Sequence, residues 1–413
     1  MSRRGEEGRC SAEIYRSTRG PGEVLLDSGR NKVGSWSGKA NATRYAGEES
    51  NRALCDKPTR MMSHDRKVMY VGDHYRGGTC FQRLRAMKDV GFQVTSIDTK
   101  PEEVRKKENQ LFYRLRRKFF GPSDLAGANE KMLQLLSNDY HHLLWIDKGM
   151  TVKPETLRTV IKISPETIIA GYSPDDMLNP DNQSKHFLEG LQYYDIFFTT
   201  KSFGVEELKK LGCKRVEFID NGYDPYTHRP VAVTKEDRSN FGGSVGFIGA
   251  YEQERAESVY FLSKNGITVR IWGSGWRKKK HASHSNIKIE NIPLWGDDYA
   301  KAICSFDISL NFLRKANRDL QTTRSIEIAA CGGFMLAERT TEHLSLFNEG
   351  VEAEFFSSNE ELLRKVRYYL EHDEKRKSIA WAGYKRCINS GYRNQDRLNK
   401  MIDYVQSECS CTK

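Results

Sequence analysis

Residues 319–337 read DLQTTRSIEIAACGGFMLA. The stretch opens as a polar loop, turns apolar with helical spacing at Ile326, Ile328, Ala329 and Ala330, and closes on the apolar run FMLA. A helix that leads straight into a short buried strand is one unit of a parallel α/β sheet. Thr322 or Thr323 can cap the helix through its hydroxyl, and Gly332 and Gly333 can end it in a left-handed turn. The helix start then offers free backbone N–H groups and a positive dipole end beside Thr322, Thr323 and Arg324, which makes an anion site. Glu327 lies about one turn further in and could accept hydrogen bonds from a pair of ribose hydroxyls. Asp319 precedes the cap, eight positions before Glu327. A helix end for a pyrophosphate and two carboxylates for a ribose and a sugar would suit a nucleotide-sugar. Ordinary capping plus one salt bridge from Arg324 accounts for the same residues.

The same alternation runs outward in both directions. Strands are expected at RKVMYVGD (66–73), FQVTSID, HLLWID, TIIAGY, DIFFTT and KRVEFID, separated by helices. A loop over 221–243 carries Pro225 and Pro230 and reads as an interdomain linker. The pattern restarts at SVGFIGAY and continues through ITVRIWG, FDISLNFL and helices over 358–371, 373–389 and 393–406. The reading is α/β: two tandem Rossmann-like domains with parallel sheets, over 66–225 and 244–390. A C-terminal helix and tail follow over 391–413. Ligands are expected at the carboxyl ends of the strands and in the cleft between the domains. Residues 1–65, rich in Gly, Ser, Arg and Asn, are expected to form a disordered extension.

Across 413 residues the net charge is +11, which suits anionic partners without choosing among nucleotides, nucleic acid and anionic membranes. Nine cysteines without a CxxC pair point to reduced, mostly buried thiols. No apolar run approaches the roughly 18–20 residues of a membrane span. Arg3 and Arg4 have no apolar segment behind them, so a cytoplasmic location is expected.

Several separated blocks resemble one family. The segment SLNFLRKANRDLQTTRSIEIAACGGFMLAERTTEHLSLFNEGVEAEFFSSNEELLRKVRYYLEH is similar to the C-terminal region of the CgeB-type glycosyltransferases, GT-B enzymes named after a spore maturation protein. GYSPDDMLNPDNQSKHF, YDIFFTTKSFGVEELKKLG, FIGAYEQERAE and RIWGSGW resemble the same family in the same order, so the likeness covers about 66–405. The resemblance implies a GT-B fold and transfer of a sugar from a UDP- or GDP-sugar donor substrate, with no cofactor and no metal. Cell-surface polysaccharide, glycolipid and protein are the acceptors it leaves open. It implies that Glu327 is the second acidic residue of the EX7E pattern and binds the nucleotide ribose. Asp319 stands at the first acidic position, where the family pattern has Glu, and would touch the donor sugar. Gly249 and Arg255 would meet the diphosphate, Trp272 and Gly273 the base, and Asn311 ends the strand before the motif.

In the first domain Asp175 and Asp176 follow a strand end and could bind acceptor hydroxyls; one could act as a general base if the reaction inverts configuration. A capped SPDD turn explains them too. Gly77, Gly78 and Lys148 are further acceptor-side candidates. LFYRLRRKFF (111–120) could lie on a membrane surface or hold an anionic acceptor, but is read first as a helix with one buried face. WRKKKHASH (276–284) reads as an exposed loop, and His281 and His284 lack a nearby third ligand. An epimerase on the same fold and a non-catalytic nucleotide-sugar or nucleic-acid-binding protein are the alternatives. No nucleic-acid motif stands out, so no nucleic-acid partner is expected. Peripheral contact with the inner face of the membrane stays open.

Overall fold

The computed structural model describes residues 66–277 and 284–411, with side chains to residue 407. The extension expected over 1–65 lies outside the described residues, as does most of the 276–284 basic run, His281 included.

Strands β1 (Lys67–Gly72), β2 (Gln93–Asp98), β3 (Leu143–Asp147), β4 (Ile168–Ser173), β5 (Ile196–Thr199) and β6 (Val216–Phe218) form one sheet in the order β2-β1-β3-β4-β5-β6. Strands β7 (Gly243–Ile248), β8 (Val269–Trp272), β9 (Ile287–Ile289), β10 (Phe306–Asn311), β11 (Met335–Glu338) and β12 (Glu354–Phe356) form a second, β9-β8-β7-β10-β11-β12. Every pairing in both is parallel. This is the GT-B arrangement of two Rossmann-like sheets.

Parallel strands covered on both faces are apolar throughout rather than alternating, and β3, LLWID, is buried at all five positions. In the first core Trp145 stacks on Phe198 at 5.7 Å and on Tyr172 at 6.0 Å. In the second, Gly246 leaves room for the Phe306 ring, which a Cβ there would meet at 2.3 Å. The third strand of that sheet, IKI, is too short to be read from its pattern and was not expected. The linker is not all loop either. Its charged half folds as a helix, Lys235–Phe241, opened by a reciprocal cap between Thr234 and Asp237.

The final helix, Asn394–Cys411, does not extend the second domain. Leu398, Met401, Ile402 and Val405 pack with Leu84, Met87 and Trp145 in the core of the first. The two chain crossings run side by side: Tyr223 N–H donates to Tyr392 O at 3.0 Å and Asn394 N–H to Tyr223 O at 2.7 Å. Met401 is 2% exposed. Met401→Ala should therefore lower the stability of the chain by about 2–4 kcal/mol, read from urea unfolding of both proteins.

Candidate functional site

In the second sheet the strand order reverses between β7 and β10. The helix after β7, Gln253–Lys264, buries Ala256, Val259 and Leu262 on one face of the sheet. The helix after β10, Thr323–Ala330, buries Ile326, Ile328 and Ala329 on the other. Helices that leave neighbouring strands in opposite directions open a crevice between their N-termini. A cavity of about 920 Å³ occupies it, lined by residues 250–255 and 322–324 and by parts of the 314–319 loop. Thr79, Lys148, Asp175, Lys201 and Asn221 close it from the first domain. Its size falls within the usual range of small-molecule sites, roughly 300–1,000 Å³.

A buried polar network sets the start of the Thr323–Ala330 helix. Ser325 Oγ accepts from Thr322 N–H and from Asn311 Nδ2, both at 3.0 Å, and meets His343 Nε2 at 2.7 Å. His343 Nδ1 lies 2.6 Å from Glu338 O, which can only accept. The imidazole is therefore protonated at Nδ1, and Nε2 accepts from the Ser325 hydroxyl. Burial pulls its pKa down to about 4. Thr322 is the N-cap residue, as the sequence suggests, but its own N–H is satisfied by Ser325. Asn311 is fully buried and braces this helix start instead of facing the cavity.

Two guanidinium groups stand beside the crevice. Arg255 is buried, with Nε 3.3 Å from Leu313 O and Nη1 3.2 Å from Ala250 O. Its Nη2 and the Nε of Arg324 are buried without hydrogen-bond partners. Both groups lie over the Phe247 ring, at 5.8 and 5.9 Å. Burial and the Arg324 charge together pull the Arg255 guanidinium down to about 10. Two neighbouring cations with open donors at helix N-termini form a site that an anion would complete.

Asp319 and Asp175, two of the four carboxylates that line the cavity, each have a cation. Asp319 is 2.6 Å from Lys201 Nζ, in a pair buried on both sides, and accepts from Asn317 Nδ2 at 2.6 Å. Asp175 is 2.6 Å from Lys148 Nζ. Burial alone would lower the Lys148 pKa, but the Asp175 carboxylate outweighs it and the ammonium is held above its usual range. Lys148 sits at φ 66°, just after the buried Asp147. Asp147 accepts from Arg83 at 2.7 and 2.9 Å, from Tyr70 OH at 2.7 Å and from Cys80 Sγ at 3.0 Å. Burial pushes its carboxyl up; Arg83 and these donors win and hold it below the usual range.

Other candidates are placed differently. Asp176 is not free to act as a base: it is buried and accepts from Arg318 at 2.7 and 3.0 Å. Trp272 is a core residue, its Nε1 on Phe241 O at 3.3 Å, and forms no wall of the cavity. Gly273, at φ 147°, and Gly249 are where two strand ends touch: a Cβ on Gly273 would stand 2.1 Å from Gly249 O. Gly249 also leaves space for the Phe247 ring, which a Cβ there would meet at 2.6 Å. Gly77 lies against Trp295 of the second domain and Gly78 precedes the Thr79–Asp89 helix; neither lines the cavity, although Thr79 does. Glu327 is not brought to the cavity wall. Its carboxylate accepts from Tyr299 OH at 2.8 Å and lies 3.6 Å from His228 Nε2.

Sequence reasoning missed Lys201 and Arg318. Lys201 lies two residues past the end of β5, so the strand-end rule used for Lys148 would have found it. Arg318 gave no such signal: it reaches Asp176 and Glu207 from another domain. Among the described residues no group of three His, Cys, Asp or Glu side chains could hold a metal ion, and no helix is long and apolar enough to cross a membrane. The five described cysteines are free thiols, four of them buried.

Residues 255–403 match the family model of glycosyl transferase-like proteins. The matched span begins at the cavity arginine Arg255 and includes Asp319, Thr322, Thr323, Arg324 and Glu327. No curated protein matches the chain by sequence. Among solved structures the chain is similar to Anabaena HepE in complex with UDP and glucose, at TM-score 0.58 and 12% identity over 83% of this chain and 100% of that one. It is also similar to sucrose-phosphate synthase of Thermosynechococcus elongatus, at TM-score 0.58 and 10% identity over 84% and 100%. A Listeria monocytogenes protein provisionally assigned as a UDP-N-acetylglucosamine 2-epimerase follows at TM-score 0.54 and 13% identity over 84% and 98%. At such identities the likeness carries the fold.

The network behind the Thr323–Ala330 helix predicts a pH dependence. The folded pKa of His343 lies below the ordinary 6.5, so its contribution is complete above pH 6.5 and is lost as pH falls towards 4. The loss amounts to about 3 kcal/mol at most. Urea unfolding across this range should give a shallower slope for His343→Gln than for the wild type.

Proposed function

We propose that this protein is a GT-B glycosyltransferase of the CgeB type that moves a sugar from a nucleoside-diphosphate donor to an acceptor hydroxyl. The observation that carries the reading is the pair Arg255 and Arg324, with unpartnered buried donors between two helix N-termini. Breaking the anomeric bond loads negative charge onto the leaving diphosphate, and cations and backbone N–H groups aimed at it lower that barrier. Thr322 and Thr323 line the same wall and would bind phosphate oxygens. This assignment gives the protein itself the means to neutralise the charge, so turnover should persist in excess EDTA.

Asp319, anchored by Lys201, would hold donor sugar hydroxyls. Asp175, with Lys148, faces the cavity from the first domain and would hold the acceptor hydroxyl. Asp175 thereby replaces Asp176 as the carboxylate that faces the acceptor. A UDP-sugar is the donor favoured here, since the Anabaena neighbour was solved with UDP. The acceptor class is a surface polysaccharide, a glycolipid or a protein. An epimerase reading draws on the Listeria neighbour; it requires the donor sugar to change without any acceptor while the nucleotide stays attached.

Calorimetry with UDP and GDP tests the assignment. UDP should bind, and Arg255→Ala and Arg324→Ala should each weaken it by about 1.5–3 kcal/mol, the weight of a lost charge-assisted hydrogen bond. Equal binding by both variants and the wild type would remove the diphosphate site from this cavity.

A further inference from the structure

The helix Leu111–Phe120 reverses an expectation. It was read as burying one face, yet it buries none of its side chains. Leu111, Phe112, Leu115 and Phe119 are 68%, 68%, 48% and 72% exposed, and Phe120 is 82% exposed. At about 100° per residue the first four fall within an arc of roughly 100°. Lys118 and Arg116 flank that arc, Arg114 and Arg117 lie behind it, and the helix has no acidic residue. Exposed aromatic side chains gathered on one stripe are not explained by the fold of the described residues.

We propose that this helix docks the protein on an anionic lipid surface. The apolar stripe would enter the boundary between headgroups and acyl chains, and the flanking cations would meet lipid phosphates. Charge complementarity selects this occupant. An apolar protein groove would have to desolvate four cations that have no acidic partner on their own helix, whereas an anionic bilayer neutralises them at its headgroups while the stripe is buried. The helix is also placed to use such contact. The preceding helix, Glu102–Glu108, leaves the carboxyl end of β2, and its Arg105 pairs with Asp73 just beyond the carboxyl end of β1. Arg105 further lies 5.1 Å from the ring of Tyr75, which touches Trp295 of the second domain edge-on at 5.7 Å. The exposed helix therefore sits on the rim from which the strand ends open into the cleft. Docking there would bring that rim to the lipid surface. The inference does not depend on the sugar-transfer reading.

Flotation of the full chain with large unilamellar vesicles tests it. The wild type should float with vesicles of phosphatidylglycerol and phosphatidylcholine, not with phosphatidylcholine alone, and less as salt rises. The double variant Phe112→Ser/Phe119→Ser alters only exposed side chains, and its affinity for the anionic vesicles should fall by at least about tenfold. Arg114→Glu/Arg117→Glu should fall similarly. UDP binding should be unchanged in both, because none of these residues lines the cavity; that readout separates failure of the docking proposal from failure of the donor site. Three results would overturn it: no binding of the wild type to anionic vesicles, binding by the serine variant equal to the wild type, or a wild-type dimer in solution that the serine variant disperses. The last would assign the stripe to a second copy of the chain.

Discussion

The reversal of strand order between β7 and β10 is the constraint on which the rest of the site depends. Right-handed crossovers that run outward from two neighbouring strands must land on opposite faces of the sheet. No side chain is needed to open the crevice between them; topology does so. Both helix starts then aim their unpaired N–H groups into one volume. What the sequence adds is chemistry at those starts: Arg255 on one helix, Thr322, Thr323 and Arg324 on the other. Gly249 lies beside them, where a Cβ would meet the Phe247 ring at 2.6 Å.

Buried polar networks hold this arrangement. Ser325 and a neutral His343 brace one helix start from below. Asp147 does the same for the end of β3, and so for the position of Lys148. The balance of charge then differs from place to place. Asp147, Asp175, Asp176 and Asp319 each face a cation of their own. Arg255 has Glu252 at 3.8 Å, the field of Asp319 and like-charged neighbours. The wall that the two helices share carries Arg255 and Arg324 together with Glu252 and Glu254, and the first domain contributes paired groups opposite. A bound diphosphate would relieve on that wall both the repulsion and the desolvation that depress Arg255.

The two domains are tied by more than the linker. The 314–321 loop reaches across the cleft: Asp176 N–H and Asn182 Nδ2 both donate to Asn317 Oδ1, at 2.9 and 2.8 Å. The final helix completes the core of the first domain from the far end of the chain. The first domain is therefore completed by residues that the sequence places next to the second.

The alternation of helix and strand, the restart after the linker and the helix start at residues 322–324 are legible in the chain alone. These features are local: they follow from apolar runs, caps and glycines a few positions apart. Lys148 and Asp175 stand out because strand ends are where such folds bind ligands, Asp319 because it precedes the helix cap, and Arg255 through the family resemblance. Adjacent residues are told apart by long-range packing. Asp175 and Asp176 are equivalent in sequence, yet Arg318 from the other domain takes the second and leaves the first facing the cavity. Trp272 and Asn311 end strands as expected but turn into the core, because the partners that claim them, Phe241 and Ser325, lie 31 and 14 positions away. The stripe of Leu111–Phe120 has the periodicity of a buried face. Periodicity says that a surface is apolar; what covers it depends on whether another part of the fold reaches it, and among the described residues none buries it.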